Sequence, residues 1–168
     1  MMAIGLAALL VIASAIALGL RIYLGRAAEE RLRPGEDIAV AALRGPLPPN
    51  AFLACPAGYC SVAEAAPSPV FAVPAERLAG YWAKMIAAEP RLVQIAAQPE
   101  PRRLVYIQRS AVLRFPDVIT VEFVALAPDR SSLALYSRAR YGRYDFGVNR
   151  RRVLRWMSRL QEIAAAQG

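Results

Sequence analysis

The sequence predicts an α+β protein: an N-terminal transmembrane helix, then a two-layer sandwich of a mainly antiparallel sheet with two helices on one face. Three observations carry that expectation. The first twenty of the 168 residues carry no charge. After Pro90 the apolar period changes to two, in four successive stretches joined by short links containing proline. Helical apolar patterns lie on either side of those stretches, over 74–89 and 149–164.

The N-terminal run reads MMAIGLAALLVIASAIALGL and ends at Arg21. Twenty residues at helical rise span about 30 Å, the thickness of a bilayer's hydrocarbon core. No polar face interrupts the run, as a buried core helix would require. A cleaved signal peptide is the rival, but no basic region precedes the run. Bulky Ile22, Tyr23 and Leu24 also stand where a small-residue cleavage site belongs. The expectation is an uncleaved anchor over 1–25. Arg21, Arg26, Arg31 and Arg33 follow it and no basic residue precedes it, which by the positive-inside rule holds the rest of the chain in the cytoplasm.

Residues 26–69 read as a Pro/Gly-rich connector, punctuated by Pro34-Gly35, Gly45-Pro46, Pro48-Pro49, Pro56, Pro67 and Pro69. The compact α+β domain is expected over 70–168. It begins with a short apolar strand, Val70 to Val73. Pro74 then opens a helix in which Leu78, Trp82, Met85 and Ile86 share a face. Four strands follow, over 91–97, 102–114, 118–126 and 131–140. A helix from Asn149 buries Val153, Trp156, Met157, Leu160 and Ile163 and turns Arg151, Arg155 and Arg159 to solvent. This order of strand, helix, four strands, helix is similar to the helix-grip and TATA-binding-protein-like folds. It carries no function by itself.

Composition excludes many chemistries. Histidine is absent, which removes Ser-His-Asp and Cys-His dyads, histidine zinc and haem sites, and a histidine pH switch. Two cysteines cannot supply a four-thiolate site, and no cofactor is implied. Of 21 basic residues only Lys84 is lysine, and the formal net charge is +8. A pI near 10.2 raises nucleic acid as a partner, but an anchored chain without an aromatic-interleaved motif argues against it.

Three stretches carry a resemblance: residues 50–61 (NAFLACPAGYCS); Arg109-Ser110 with Arg114-Phe115-Pro116-Asp117-Val118 and Val121-Glu122-Phe123; and Tyr136 to Val153 (YSRARYGRYDFGVNRRRV). Together they resemble the bacterial and plastid domain-of-unknown-function family numbered 1499. The resemblance implies an envelope protein and supplies no established reaction. Tyr141 stands before Gly142 where many relatives have a small or β-branched residue.

Cys55 and Cys60 bracket Pro-Ala-Gly-Tyr, a segment able to turn the chain back within disulfide range. Two free thiols are the alternative; a metal pair would need carboxylate help. A disulfide implies an oxidising compartment. Together with the family resemblance it favours the periplasmic side of the inner membrane over the cytoplasmic side.

From Arg138 to Arg159 there are eight arginines and one acid, Asp145. Strand alternation sets Arg138 and Arg140 on the face away from the helices. With Asn149 as N-cap, Arg150, Arg151 and Arg152 crowd a first turn that is already positive. Either Asp145 latches back, to one of these arginines or to backbone N–H groups at the helix start, or an external anion answers them. Arg109 falls on an apolar strand face and needs a partner if buried, with Asp117 and Asp145 as available acids. The candidate binding residues are therefore Arg109, Arg138, Arg140, Asp145, Asn149, Arg150, Arg151 and Arg155. They suggest a non-catalytic binding or accessory module for an envelope protein, an anionic lipid or an apolar ligand. The competing reading is a hydrolase-like enzyme using Asp145 or Asp117, with arginines stabilising an anion.

Overall fold

The computed structural model describes residues 9–20, 35–99 and 102–167. Residues 9–20 are helical and exposed; the rest of the expected anchor over 1–25 lies outside the described residues. Among the described residues no helix is long and apolar enough to cross a membrane.

The fold is α+β around a six-stranded mixed sheet. Strands β1 (Ala51–Cys55), β2 (Ala66–Pro67), β3 (Leu92–Gln98), β4 (Arg103–Arg109), β5 (Pro116–Ala127) and β6 (Arg130–Ala139) lie in the order β2-β1-β6-β5-β4-β3. Only β1 and β2 pair in parallel; β3 to β6 form the expected antiparallel meander. Two helices pack on the sheet, α1 (Ala75–Ile86) and α2 (Val148–Gln167). Both cover the sheet face made by Phe52, Ala54, Tyr106, Ile119, Val121, Phe123, Leu133 and Leu135. Trp82 of α1 and Trp156 of α2 meet edge to face at 5.6 Å in the middle of that layer.

Two elements differ from expectation. Val70–Val73 is not a strand: Phe71 makes one isolated bridge to Ser131, through bonds of 2.8 and 3.0 Å. Pro69 and Pro74 close in on it and leave no room for a ladder. The first strand is instead Ala51–Cys55, inside the stretch read as connector. Phe52 and Ala54 face the helices, while Leu53 and Cys55 face the other layer. A strand buried on both faces shows no apolar–polar alternation to read.

The second face of the sheet is covered as well. Ile38, a 3-10 turn at Val40–Ala42, Leu47, Tyr59 and Val62 pack on Leu53, Ala134 and Tyr136. Glu122, fully buried on β5, fastens this layer: it accepts from the Val40 backbone N–H at 2.9 Å and the Tyr59 hydroxyl at 2.9 Å, with Arg103 at 3.4 Å. The Cys55–Cys60 disulfide, with Cα atoms 6.2 Å apart, closes the loop that carries Tyr59.

Candidate functional site

The three stretches of distinctive sequence meet at one end of the sheet. Asn50, just before β1, accepts from the Asn149 side chain at 3.0 Å and from the Ala139 N–H at 3.0 Å. Its own amide donates to the Gly142 carbonyl at 2.6 Å. The Arg140 N–H reaches the Pro116 carbonyl at 3.0 Å, joining the end of β6 to the start of β5.

Arg152 is the hub of this end. It donates through Nε to Gln108 at 2.5 Å, through Nη1 to Ser137 at 2.9 Å and to Asn149 Oδ1, and through Nη2 to Asp117 at 2.6 Å. These partners come from β4, β5, β6 and α2 itself. Burial pushes the Asp117 carboxyl above its usual range, Arg152 pulls it back, and the nearby Asp145 charge adds to the rise.

Asp145 latches the helix start through backbone N–H groups, and among the described residues it bridges to no arginine. Its two carboxylate oxygens accept the N–H groups of Gly147 at 3.0 Å and Asn149 at 2.7 Å, which caps the start of α2. Gly147 is required there. Its φ is +74°, and a Cβ would stand 3.1 Å from the Arg151 guanidinium. Asn149 is accordingly not the cap but a fully buried residue inside the first turn, where its side chain accepts from Ser137 at 2.6 Å.

The other candidate residues separate. Arg138 and Arg140 lie on the face away from the helices. Arg140 is buried in a two-bond pair with Glu36 at 2.7 and 2.6 Å, so it belongs to no exposed patch with Arg151 or Arg155. Arg109 is 4% exposed and donates to the Arg114 carbonyl at 3.3 Å, while Asp117 goes to Arg152 instead. Arg150 lies over the Phe52 ring at 5.7 Å. Arg151 is exposed and donates to the Phe146 carbonyl at 3.0 Å, and Arg155 pairs with Glu89 at 2.9 Å.

Two clefts open at this end, sharing a wall of Ser110, Ala111 and Val148. One, of about 560 Å³, runs along α2 and is lined by Arg91, Arg151, Arg155 and Arg159, with Glu89 between them. The other, of about 510 Å³, is largely apolar and lies between the β4–β5 loop and the β6–α2 loop, with Leu113, Phe115, Tyr141 and Phe146 on its walls. Phe146 is 90% exposed, Val112 72% and Tyr144 62%. Arg91, Arg114 and Phe146 hold positive φ angles of 57°, 60° and 55°. A non-glycine residue there costs on the order of 1–3 kcal/mol, and such residues cluster where function constrains the backbone.

Asp117 and Asp145 both border the apolar cleft, yet one is held by a guanidinium and the other by two backbone N–H groups. That arrangement suits rigid support more than proton transfer. Arg152, Gln108, Ser137, Asn50 and Glu89 are absent from the candidates drawn from the sequence. Only Arg152 had a readable signal: three after Asn149 and four before Trp156, it lies on the buried stripe of α2.

Among solved structures, the chain is similar to the di-domain ARO/CYC BexL from the BE-7585A biosynthetic pathway. The identity is 13% and the TM-score 0.42, over 58% of this chain and 44% of that one. No curated protein matches the sequence. The family described as a protein of unknown function, DUF1499, matches residues 49–160, the span that holds the whole sheet, both clefts and most of α2. The chain belongs to the DUF1499 family.

Proposed function

We propose that this protein is a membrane-anchored, non-catalytic module of the cell envelope that binds an anionic lipid at the end of its sheet. The uncharged residues 1–20 supply the tether, and the Cys55–Cys60 disulfide favours the periplasmic side of the inner membrane. The observation that carries the binding role is the adjacency of the two clefts: an apolar one rimmed by exposed Phe146 and Val112, and an arginine-lined one beside it. An amphiphile with a negative head matches both at once. Exposed apolar area of this kind marks an interaction site. The arginines select a lipid over an apolar protein segment by charge.

The test uses the full-length protein in a neutral detergent, incubated with phosphatidylglycerol and with phosphatidylcholine, and bound lipid counted by native mass spectrometry. Phosphatidylglycerol should be retained, and Phe146→Ser with Val112→Ser should lower its retention at least about fivefold without lowering the melting temperature. Retention of neither lipid by the wild-type protein would overturn the proposal and leave a protein partner as the occupant.

A further inference from the structure

Resting on that reading, we infer that the arginine-lined cleft along α2 is a phosphate subsite, selective for a phosphomonoester headgroup over a phosphodiester. Its charge count is the first observation. Arg155 and Arg159 share one carboxylate, Glu89, at 2.9 and 3.7 Å. Arg91 donates to the Arg109 carbonyl and Arg151 to the Phe146 carbonyl, and neither forms an ion pair among the described residues. Arg109 and Arg152 also line the cleft but are buried, Arg152 in its pair with Asp117; the four remaining guanidiniums face one acid, an excess of three positive charges among them. A phosphodiester carries one negative charge. A phosphomonoester carries about 1.5–2 at neutral pH and three acceptor oxygens, so it answers the excess more fully.

Donor geometry is the second observation. Arg151, Arg155 and Arg159 recur every fourth residue and form one row along α2. Arg91 comes from the opposite wall, at the start of β3, where its positive φ and its bond to the Arg109 carbonyl hold it in place. Planar guanidinium forks on two walls suit a tetrahedral anion with several free oxygens. Glu89 is nearly buried and also accepts from Gln108 at 3.5 Å. It therefore orients Arg155 and Arg159 without filling the cleft. The shared wall of Ser110, Ala111 and Val148 puts such a head next to the apolar cleft that would take its chains.

The ligand could be a lipid headgroup or a soluble phosphomonoester, and the experiment separates them. Full-length protein in neutral detergent is presented with phosphatidic acid, phosphatidylglycerol and glycerol 3-phosphate, and binding is measured by native mass spectrometry. Phosphatidic acid should bind at least about fivefold more tightly than phosphatidylglycerol. Arg151→Gln with Arg155→Gln should abolish that preference by weakening phosphatidic acid binding far more than phosphatidylglycerol binding, and should leave the melting temperature in place, because both side chains are exposed and Glu89 keeps Arg159 and Gln108. Glycerol 3-phosphate should compete only weakly. Equal affinity for the two lipids, or a preference that survives the double substitution, overturns the subsite. Tight glycerol 3-phosphate binding without retention of either lipid supports the subsite and overturns the lipid reading above.

Discussion

Arg152 carries a full charge at 7% exposure, and four of its five N–H donors are engaged by Gln108, Ser137, Asn149 and Asp117. A buried pair of this kind contributes little net stability compared with an apolar substitute, yet breaking it from one side is costly. Asp117→Asn should therefore destabilise the protein by about 3–5 kcal/mol, because Arg152 keeps its charge in a desolvated place. Arg152→Met should cost a similar amount, and the two together less than their sum; urea melts of the four variants check the coupling. Asp145 behaves differently. Asp145→Ala should cost about 1–2 kcal/mol, as for a lost helix cap, and Asp145→Asn less, since an amide oxygen still accepts one N–H. A loss at Asp145→Asn as large as at Asp117→Asn would mean that its charge has a buried guanidinium partner after all. At this scale the sequence was partly legible. The crowding of arginines at the start of α2 correctly marked an electrostatic problem. Its solution was hidden because the acids that answer it, Asp117 for Arg152 and Glu89 for Arg155, lie 35 and 66 residues away.

Among the elements, α1 and α2 were readable because each has one buried face, and period then reports structure directly, while the meander from β3 to β6 was readable from its runs of Val, Ile, Leu and Tyr and the proline-containing links between them. β1 was not, because it is only five residues long and prolines flank it on both sides. The layer over the second face, 36–65, has no period at all; it is held by particular contacts, of which the disulfide loop and Glu122 are the centre. Closing a loop this short contributes about 2 kcal/mol in the chain-entropy account. Cys55→Ala with Cys60→Ala should lower stability by about that amount and loosen Tyr59. Thiol alkylation of freshly lysed cells should leave both cysteines unlabelled if the domain faces an oxidising compartment. Full labelling would place it in the cytoplasm instead. Tyr59 adds a pH signature. Burial, then its bond to Glu122 and that carboxylate's charge, push its hydroxyl up to about 12, against the opposing pull of Arg103. The folded state thus holds the phenol proton more tightly than the unfolded chain. The associated stability is complete below pH 10 and is lost as pH rises from 10 toward about 12. Tyr59→Phe should be less stable at neutral pH by about 1–3 kcal/mol, with Glu122 left short of a donor. It should also lose less than the wild type between pH 10 and about 12.

For the whole molecule, charge combines with the proposed tether. The net charge of +8 is concentrated toward the C-terminal third, but the structure splits that concentration. Arg140 is consumed by Glu36 on one face, while Arg151, Arg155 and Arg159 stay on α2 beside the apolar cleft. A domain tethered to a bilayer with this end exposed should therefore approach an anionic surface tip first, with Phe146, Tyr144 and Val112 leading and the α2 arginines behind. Anionic headgroups attract each such arginine by about 1 kcal/mol, and the attraction shrinks as the Debye length falls from about 10 Å at 0.1 M salt to about 3 Å at 1 M. Apolar side chains that have already entered the interface are not screened in this way. Salt should therefore weaken docking without abolishing it. The two native tryptophans make the measurement clean, since Trp82 and Trp156 are both fully buried in the core. Phe146→Trp places a third at the tip, where only it can meet brominated lipid. In nanodiscs containing brominated phosphatidylglycerol, its fluorescence should be strongly quenched at 0.1 M salt and less so at 1 M, and quenching in brominated phosphatidylcholine should be weak at both. Equal quenching in the two lipids would leave apolar insertion alone as the cause. No quenching in either would turn the tip toward a protein partner, because an exposed phenylalanine beside a bilayer it never touches must be kept for something else.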